Sequence, residues 1–177
     1  MGHVTNVTNL SSLASWTADQ FDPTLTWEDI AWIKDRWKGK LILKGIMDSE
    51  DAMLAVKAGA DAIIISNHGG RQLDGAPSTI SVLPEIVDAV NSKVEVHFDG
   101  GVRSGQDVLK ALALGADCIH IGRPYVYGLG AKGQEGVEIA IEIIKKELDL
   151  TMAMCGETNI SNVGLHNLHH NPFKIIN

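Results

Sequence analysis

A histidine and an arginine lie three residues apart in the glycine-rich segment 66–74, which reads Ser-Asn-His-Gly-Gly-Arg-Gln-Leu-Asp. Histidine titrates near neutral pH, so His68 is a candidate general base. Arg71 could hold a substrate carboxylate in a bidentate pair beside that base. A single loop histidine is usually a surface residue, so this interpretation depends on where the fold places the segment. The residue types predict proton transfer to or from a small organic acid.

Two further loops combine glycine with arginine: Asp99-Gly100-Gly101-Val102-Arg103 and Gly122-Arg123. Glycines before a helix expose backbone N–H groups, and the helix dipole attracts an anion. One Gly-Gly turn is a weak signal, but two such loops, each with an arginine, favour a phosphate site. Lys44 ends an apolar run, where a charge is costly without a partner. It either pairs with a neighbouring acid or holds an electron-rich group of a ligand.

Short apolar runs alternate with helical patterns along most of the chain. The runs predict buried parallel strands at 41–44, 62–66, 94–99 and 118–122, and the helical patterns cover 49–58, 79–90, 104–114 and about 134–148. An earlier helix begins after the N-cap Thr26 and ends at Gly39. A Gly-Ala-Asp turn recurs at 59–61 and 115–117, which favours a regular α/β barrel. A complete barrel takes about 250 residues, so four units predict half of one, with the candidate residues at the carboxyl ends of its strands.

Bulk properties exclude several classes of protein. The 177 residues, 45% of them hydrophobic, fit one domain. With a net charge of −7 and no run of Lys or Arg, we expect no nucleic-acid partner. No apolar run is long enough to span a bilayer, and the N-terminal residues lack the basic and apolar regions of a secretory signal. We therefore expect a cytoplasmic protein. Cys118 and Cys155 lack metal-type spacing, so we predict free thiols and no metal site. We interpret His97 and His120 as hydrogen-bonded residues of the core or barrel lumen.

These motifs resemble the FMN-dependent 2-hydroxy-acid dehydrogenases and oxidases, a family that includes glycolate oxidase, lactate dehydrogenase and mandelate dehydrogenase. Four separate motifs occur in the family's order: Lys44-Gly45, the segment 66–74, the segment 99–103, and Ile121-Gly122-Arg123-Pro124. The likeness runs from about Phe21 to Cys155. The stretch 21–27, with Trp32-Ile33, is most similar to the bacterial lactate and mandelate dehydrogenase branch.

The resemblance implies the C-terminal half of a TIM barrel, an FMN cofactor and oxidation of an L-2-hydroxy acid to the 2-oxo acid. Lys44 would contact N1 and O2 of the flavin, and Ser66 would contact the flavin as well. His68 would remove a proton from the substrate, and Arg71 would bind its carboxylate. The residues that would bind the ribityl chain and phosphate are Asp99, Gly100, Gly101, Val102, Arg103, Gly122 and Arg123. The implied domains are a flexible arm or loop at 1–25, the FMN-binding half-barrel at 26–155 and a tail at 156–177.

Part of the family pattern has no counterpart in this chain. The family's first four strands supply two tyrosines, a second arginine and an aspartate that supports the histidine, and the matching region would precede Met1. Three hypotheses follow: half of a flavoenzyme completed by an N-terminal half-barrel partner, an inactive half-barrel that binds FMN or phosphate and self-associates, or a phosphate-binding barrel fragment without flavin. The resemblance places residues 1–20 near a membrane-binding insertion of the mandelate branch. They are too polar to act as an anchor, which implies at most weak peripheral association with the inner face of a membrane.

Overall fold

The computed structural model describes residues 22–169 together with Trp16 and Gln20. Within them, helices and strands alternate as the sequence predicts. The elements are α1 (Trp27–Trp37), β1 (Ile42–Ile46), α2 (Ser49–Lys57), β2 (Ala62–Ile65), α3 (Thr79–Val90), β3 (Glu95–Phe98), α4 (Gly105–Ala113), β4 (Cys118–Ile119), α5 (Arg123–Lys132) and α6 (Gln134–Met154). No helix among these residues is long and apolar enough to cross a bilayer. The arm predicted at 1–25 lies mostly outside the described residues.

The four strands form one parallel sheet in the order β1-β2-β3-β4. Side chains alternate between its two faces. Ile63, Ile65, Val96 and Phe98 belong to the buried core shared with the helices. On the opposite face the register aligns one residue from each strand in a single row, which consists of Lys44, Ile64, His97 and Cys118. That row carries most of the polar residues within the strands.

The recurring Gly-Ala-Asp turns join each helix to the next strand as predicted. Gly59 and Gly115 adopt φ values of 83° and 100°, which an L residue rarely tolerates. The carboxylate of Asp61 accepts the N–H of Leu41 at 2.7 Å, and that of Asp117 accepts the N–H of Val96 at 2.8 Å. Each turn therefore also fastens its own strand to the preceding one.

A bulge interrupts β1 at Gly45. Lys44 pairs with Ile64, but Ile46 pairs with Ile65, so Gly45 is an extra residue on the β1 side. Its φ of 102° suits glycine. The bulge directs Lys44 to the polar face while Ile46 enters the core.

The helix α5 was not predicted from the sequence. Its glycines and Pro124 weaken the helical signal, and the chain compensates by tight packing against α6. A Cβ on Gly128 would overlap the backbone of Gly136, so only glycine permits this approach. Several boundaries also differ. The helix α6 continues to Met154 instead of 148, β4 has two residues instead of five, and β1 spans Ile42–Ile46 instead of 41–44. The strand β3 is Glu95–Phe98 instead of 94–99, and α1 ends at Trp37 with left-handed Lys38 as its cap instead of at Gly39.

The segment predicted as a tail is folded up to residue 169. It contains 3-10 turns at Ile160–Asn162 and Leu165–Asn167. The carboxylate of Glu157 contacts Nε2 of His166 at 2.8 Å and accepts the amide of Asn167 at 3.0 Å. Leu168 packs against the main core. Sequence reasoning missed this because the segment has no period, and its structure comes from specific polar contacts.

Candidate active site

A cleft of about 860 Å³ opens at the carboxyl ends of the strands, within the size range of small-molecule sites. Ten of the predicted site residues line it: Lys44, His68, Arg71, Asp99, Gly100, Gly101, Val102, Arg103, Gly122 and Arg123. Ser66 is 1% exposed. The residues come from the ends of all four strands, and the fold brings them together.

At the base of the cleft, Lys44 is held by two neighbours. Its ammonium donates to Oγ of Ser66 at 2.6 Å and pairs with Asp99 at 2.7 Å. Oγ of Ser66 also accepts the N–H of His68 at 3.2 Å. Lys44 therefore has the acidic partner that one sequence interpretation required, and it lines the cleft, where the other placed a ligand.

His68 begins a 3-10 turn whose shape is set by Asn67. The Asn67 side chain accepts the N–H of Gly69 at 3.0 Å and donates to the carbonyl of Pro77 at 3.3 Å. His68 itself has a φ of 55°, a strained conformation of the kind found at functional sites. A Cβ added to Gly45 would lie 2.9 Å from Cε1 of His68. The imidazole thus rests directly against the glycine bulge of β1.

Two arginines flank the histidine loop. Arg71 is exposed in the cleft wall, where its guanidinium can receive a ligand. Arg123 donates from Nη2 to the carbonyl of Gly69 at 2.8 Å, so it joins the end of β4 to the loop after β2. One donor of Arg123 is thereby occupied, and the rest of its guanidinium remains available to the cleft.

The opposite wall is built from backbone donors. Gly100 and Gly101 have φ values of 97° and 81°, and within residues 22–169 their N–H groups donate to no protein acceptor. A Cβ on Gly100 would lie 2.7 Å from Oγ1 of Thr79, so the loop after β3 fits closely against α3. Val102 is 5% exposed and packs in the main core, so it anchors this loop beside the cleft.

The two helices that follow this wall differ at their N-termini. The first turn of α4 is closed by a capping box, in which Ser104 and Asp107 satisfy each other's backbone. By contrast α5 has Gly122 as its N-cap and therefore no side-chain cap, and its first turn lines the cleft. An uncapped helix N-terminus attracts anions, and barrels often bind phosphate at the start of a short extra helix near the last strands. The donors, glycines and arginines fit a phosphate group.

Sequence reasoning did not include His120 and Tyr125 among the site residues, although both line the cleft. Burial, together with the nearby His97 and Lys44, lowers the pKa of His120, against the opposing effect of Asp99. The signal for His120 was its position two residues after Cys118, since alternate strand residues share a face.

Comparison with known proteins identifies the family of this chain. The family model described as FMN-dependent dehydrogenase matches residues 2–170. The chain belongs to this FMN-dependent dehydrogenase family. It is 49% identical to 2-hydroxyacid oxidase 1 of Mus musculus over 165 residues, which is 93% of this chain and 45% of that protein. It is 45% identical to the L-lactate dehydrogenase of Stenotrophomonas maltophilia over 167 residues, which is 94% of this chain and 44% of the relative.

Solved structures of mandelate-oxidising proteins also resemble this chain. A mandelate oxidase crystallised with (S)-4-hydroxymandelic acid matches with a TM-score of 0.82 and 46% identity, covering 86% of this chain and 42% of the other. The monotopic membrane protein (S)-mandelate dehydrogenase matches with a TM-score of 0.82 and 38% identity, covering 91% and 43%. The chain therefore spans less than half the length of these relatives, and its parallel sheet is a portion of their TIM-barrel type of fold.

Proposed function

We propose that this chain forms the FMN-phosphate and substrate-activating half of an enzyme that oxidises an L-2-hydroxy acid to the 2-oxo acid. The observation that carries the proposal is the cleft that His68 and Arg71 share with Gly100 and Gly101, whose N–H groups donate to no acceptor among the described residues. One side has a base and a carboxylate clamp, and the other has a cradle for phosphate. Lactate-type and mandelate-type acids are the proposed substrates, in keeping with the names of the relatives.

In this proposal Arg71 holds the substrate carboxylate in a bidentate pair, which places the hydroxyl-bearing carbon near His68. His68 takes a proton from the substrate at its free ring nitrogen. Bound FMN would accept the two electrons released by the oxidation. Lys44, fixed by Ser66 and Asp99, would place positive charge against the flavin ring and favour its anionic reduced form.

The phosphate of FMN would lie between the loop after β3 and the start of α5. Gly100 and Gly101 offer N–H groups there, and Arg103 and Arg123 offer guanidinium donors. Ser66, which is buried beneath Lys44, would act mainly by fixing that lysine. Asp99 would do the same from the other side while its backbone leads into the cradle.

Activity is proposed for an assembly larger than one copy of this chain. The relatives that it matches are more than twice as long. We infer a partner that supplies the remaining barrel units, either an N-terminal half-barrel or a second copy. A cytoplasmic location with peripheral membrane contact stays a prediction, for which the monotopic relative is the support.

The test is anaerobic reduction of the FMN-loaded chain by L-lactate, (S)-mandelate or glycolate, with and without the N-terminal half of a lactate dehydrogenase relative. We expect the oxidised-flavin absorbance to fall in the reconstituted assembly. His68→Gln should slow this by about 10²–10⁴-fold, whereas His166→Gln, at an exposed position far from the cleft, should leave it unchanged. No fall in absorbance with any of the three acids in either setting contradicts the proposal.

A second candidate function is an inactive half-barrel that binds FMN or phosphate and self-associates. The observation in its favour is the sheet itself, because the outer edges of β1 and β4 pair with no strand among the described residues, and open edges promote association. It predicts flavin binding by the chain with no reduction by any 2-hydroxy acid in the reconstituted assembly.

A further inference from the structure

Two histidines and a cysteine converge on the face of the sheet opposite the main core. His97 and Cys118 are register partners on β3 and β4, and His120 follows Cys118 by two residues on the same side. Nδ1 of His97 lies 3.1 Å from Nε2 of His120. With the Sγ of Cys118, the three potential ligand atoms all lie within 4.8 Å of one another.

This arrangement is close to what a tetrahedral zinc ion requires. Zinc binds imidazole nitrogen at about 2.1 Å and thiolate sulfur at about 2.3 Å, so tetrahedral angles separate two nitrogens by about 3.4 Å and nitrogen from sulfur by about 3.6 Å. The nitrogen pair is already near that separation. The sulfur of Cys118 lies within 4.8 Å of the nitrogens, so it must approach them by at most about 1 Å to complete the set.

The surroundings of His97 also match a metal ligand. His97 is 8% exposed, and its other ring nitrogen, Nε2, lies 3.2 Å from a carboxylate oxygen of Glu95. A carboxylate on the outer nitrogen fixes the tautomer and leaves the lone pair of Nδ1 directed at the cluster, as in most metal-bound histidines. The charges near the cluster are balanced, because Lys44 is already paired with Asp99.

We propose that His97, Cys118 and His120 form a binding site for a divalent transition-metal ion of the zinc type, with a fourth position open to water. The mixed imidazole and thiolate donors suit zinc better than calcium or magnesium, which prefer oxygen. The spacing of cysteines in the sequence does not reveal this site, because its ligands come from two neighbouring strands. His120 also lines the cleft, but none of the three ligands belongs to the glycine and arginine cradle, so metal binding can be measured on the chain without flavin.

The test uses the untagged full chain, free of other metals and under anaerobic conditions, with Co²⁺ as the probe. We expect one equivalent of Co²⁺ to produce a thiolate-to-cobalt absorption band and visible bands of tetrahedral intensity. Cys118→Ser should abolish the thiolate band, and Cys155→Ser, at an exposed thiol outside the cluster, should retain it. His120→Asn should weaken binding, and circular dichroism checks that each variant is folded.

A second measurement needs no variant at the cluster. Zn²⁺ should slow alkylation of Cys118 at least about tenfold and leave the rate at Cys155 unchanged, as located by mass spectrometry. Glu95→Gln should weaken Zn²⁺ binding by about tenfold, the usual effect of losing a carboxylate behind a histidine ligand. The proposal is overturned if wild-type protein shows no thiolate band, if the band survives Cys118→Ser, or if Zn²⁺ leaves Cys118 as reactive as before. If Zn²⁺ binds only to histidines near the C-terminus, Cys118 stays as reactive as before.

Discussion

Replacing Gly45 with alanine should displace the imidazole of His68. Gly45 has a φ of 102°, and a Cβ there would lie 2.9 Å from Cε1 and 3.5 Å from Nε2 of the ring. Ordinary contact needs several tenths of an ångström more, so the ring must swing away from the bulge. The positive φ adds roughly 1–2 kcal/mol of backbone strain. A displacement of about 1 Å at a catalytic group can cost about 10²-fold in rate.

Gly75→Ala is the matched control. Gly75 has a φ of 83°, and an added Cβ would meet nothing within 4 Å. Both substitutions should therefore lower the free energy of unfolding by a similar amount, about 1–2 kcal/mol, in urea denaturation. Only Gly45→Ala should shift the His68 Hε1 resonance, which is assigned by its loss in His68→Gln.

The NMR readout does not depend on activity, so it separates the position of His68 from the role proposed for it. In the reconstituted flavin assembly, Gly45→Ala should also slow reduction by a 2-hydroxy acid by about 10²-fold, and Gly75→Ala should not. The reasoning is refuted if Gly45→Ala leaves the His68 resonance unchanged, or if Gly75→Ala shifts it equally.

Three further perturbations test other parts of the structure. Lys44→Met should lower the free energy of unfolding by about 1–3 kcal/mol, because the half-buried Asp99 loses its partner; an unchanged urea midpoint would count against this. Asp61→Asn should flatten the acid dependence of stability. The pKa of Asp61 is held well below its usual range by the Lys34 ammonium, the Leu41 N–H and the Lys40 ammonium. The contribution of Asp61 to the free energy of unfolding is therefore present above about pH 4 and is lost as the pH falls through the folded-state pKa. Identical acid unfolding of variant and wild type would contradict this. Gly105→Ala should lower the free energy of unfolding by about 1–3 kcal/mol or more, because the added Cβ would overlap the backbone of Leu148. The control Gly130→Ala, where a Cβ within α5 meets open space, should be neutral or slightly stabilising. Equal thermal unfolding of the two variants would contradict this prediction.

The fold was largely predictable because its pattern is carried by local signals. Four apolar runs, the N-cap Thr26 and the repeated Gly-Ala-Asp turn each act over a few residues. These signals predicted the parallel sheet, and the four separate motifs carried the resemblance to the family; the comparisons confirm both. They failed at α5, where close packing of Gly128 on Gly136 replaces helical propensity.

The candidate site was predictable in its members and less so in its geometry. Strand ends meet at one edge of a parallel sheet, so Lys44, His68 and Asp99 could be grouped from the sequence. The contact of His68 with the Gly45 bulge and the bond from Arg123 to Gly69 are long-range, and no local pattern carries them. The cluster at His97, Cys118 and His120 was missed for the same reason. The roles assigned to the site residues stay predictions.

The most direct test of the central claim compares the affinities of FMN and riboflavin for this chain by fluorescence titration. If the loop after β3 and the start of α5 bind the phosphate, FMN should bind at least about tenfold more tightly than riboflavin, because charge-assisted hydrogen bonds contribute about 1.5–3 kcal/mol each. Arg103→Gln should reduce that preference, and Arg36→Gln, on exposed α1, should keep it. Equal affinities for the two flavins, or no binding of either, would contradict the account.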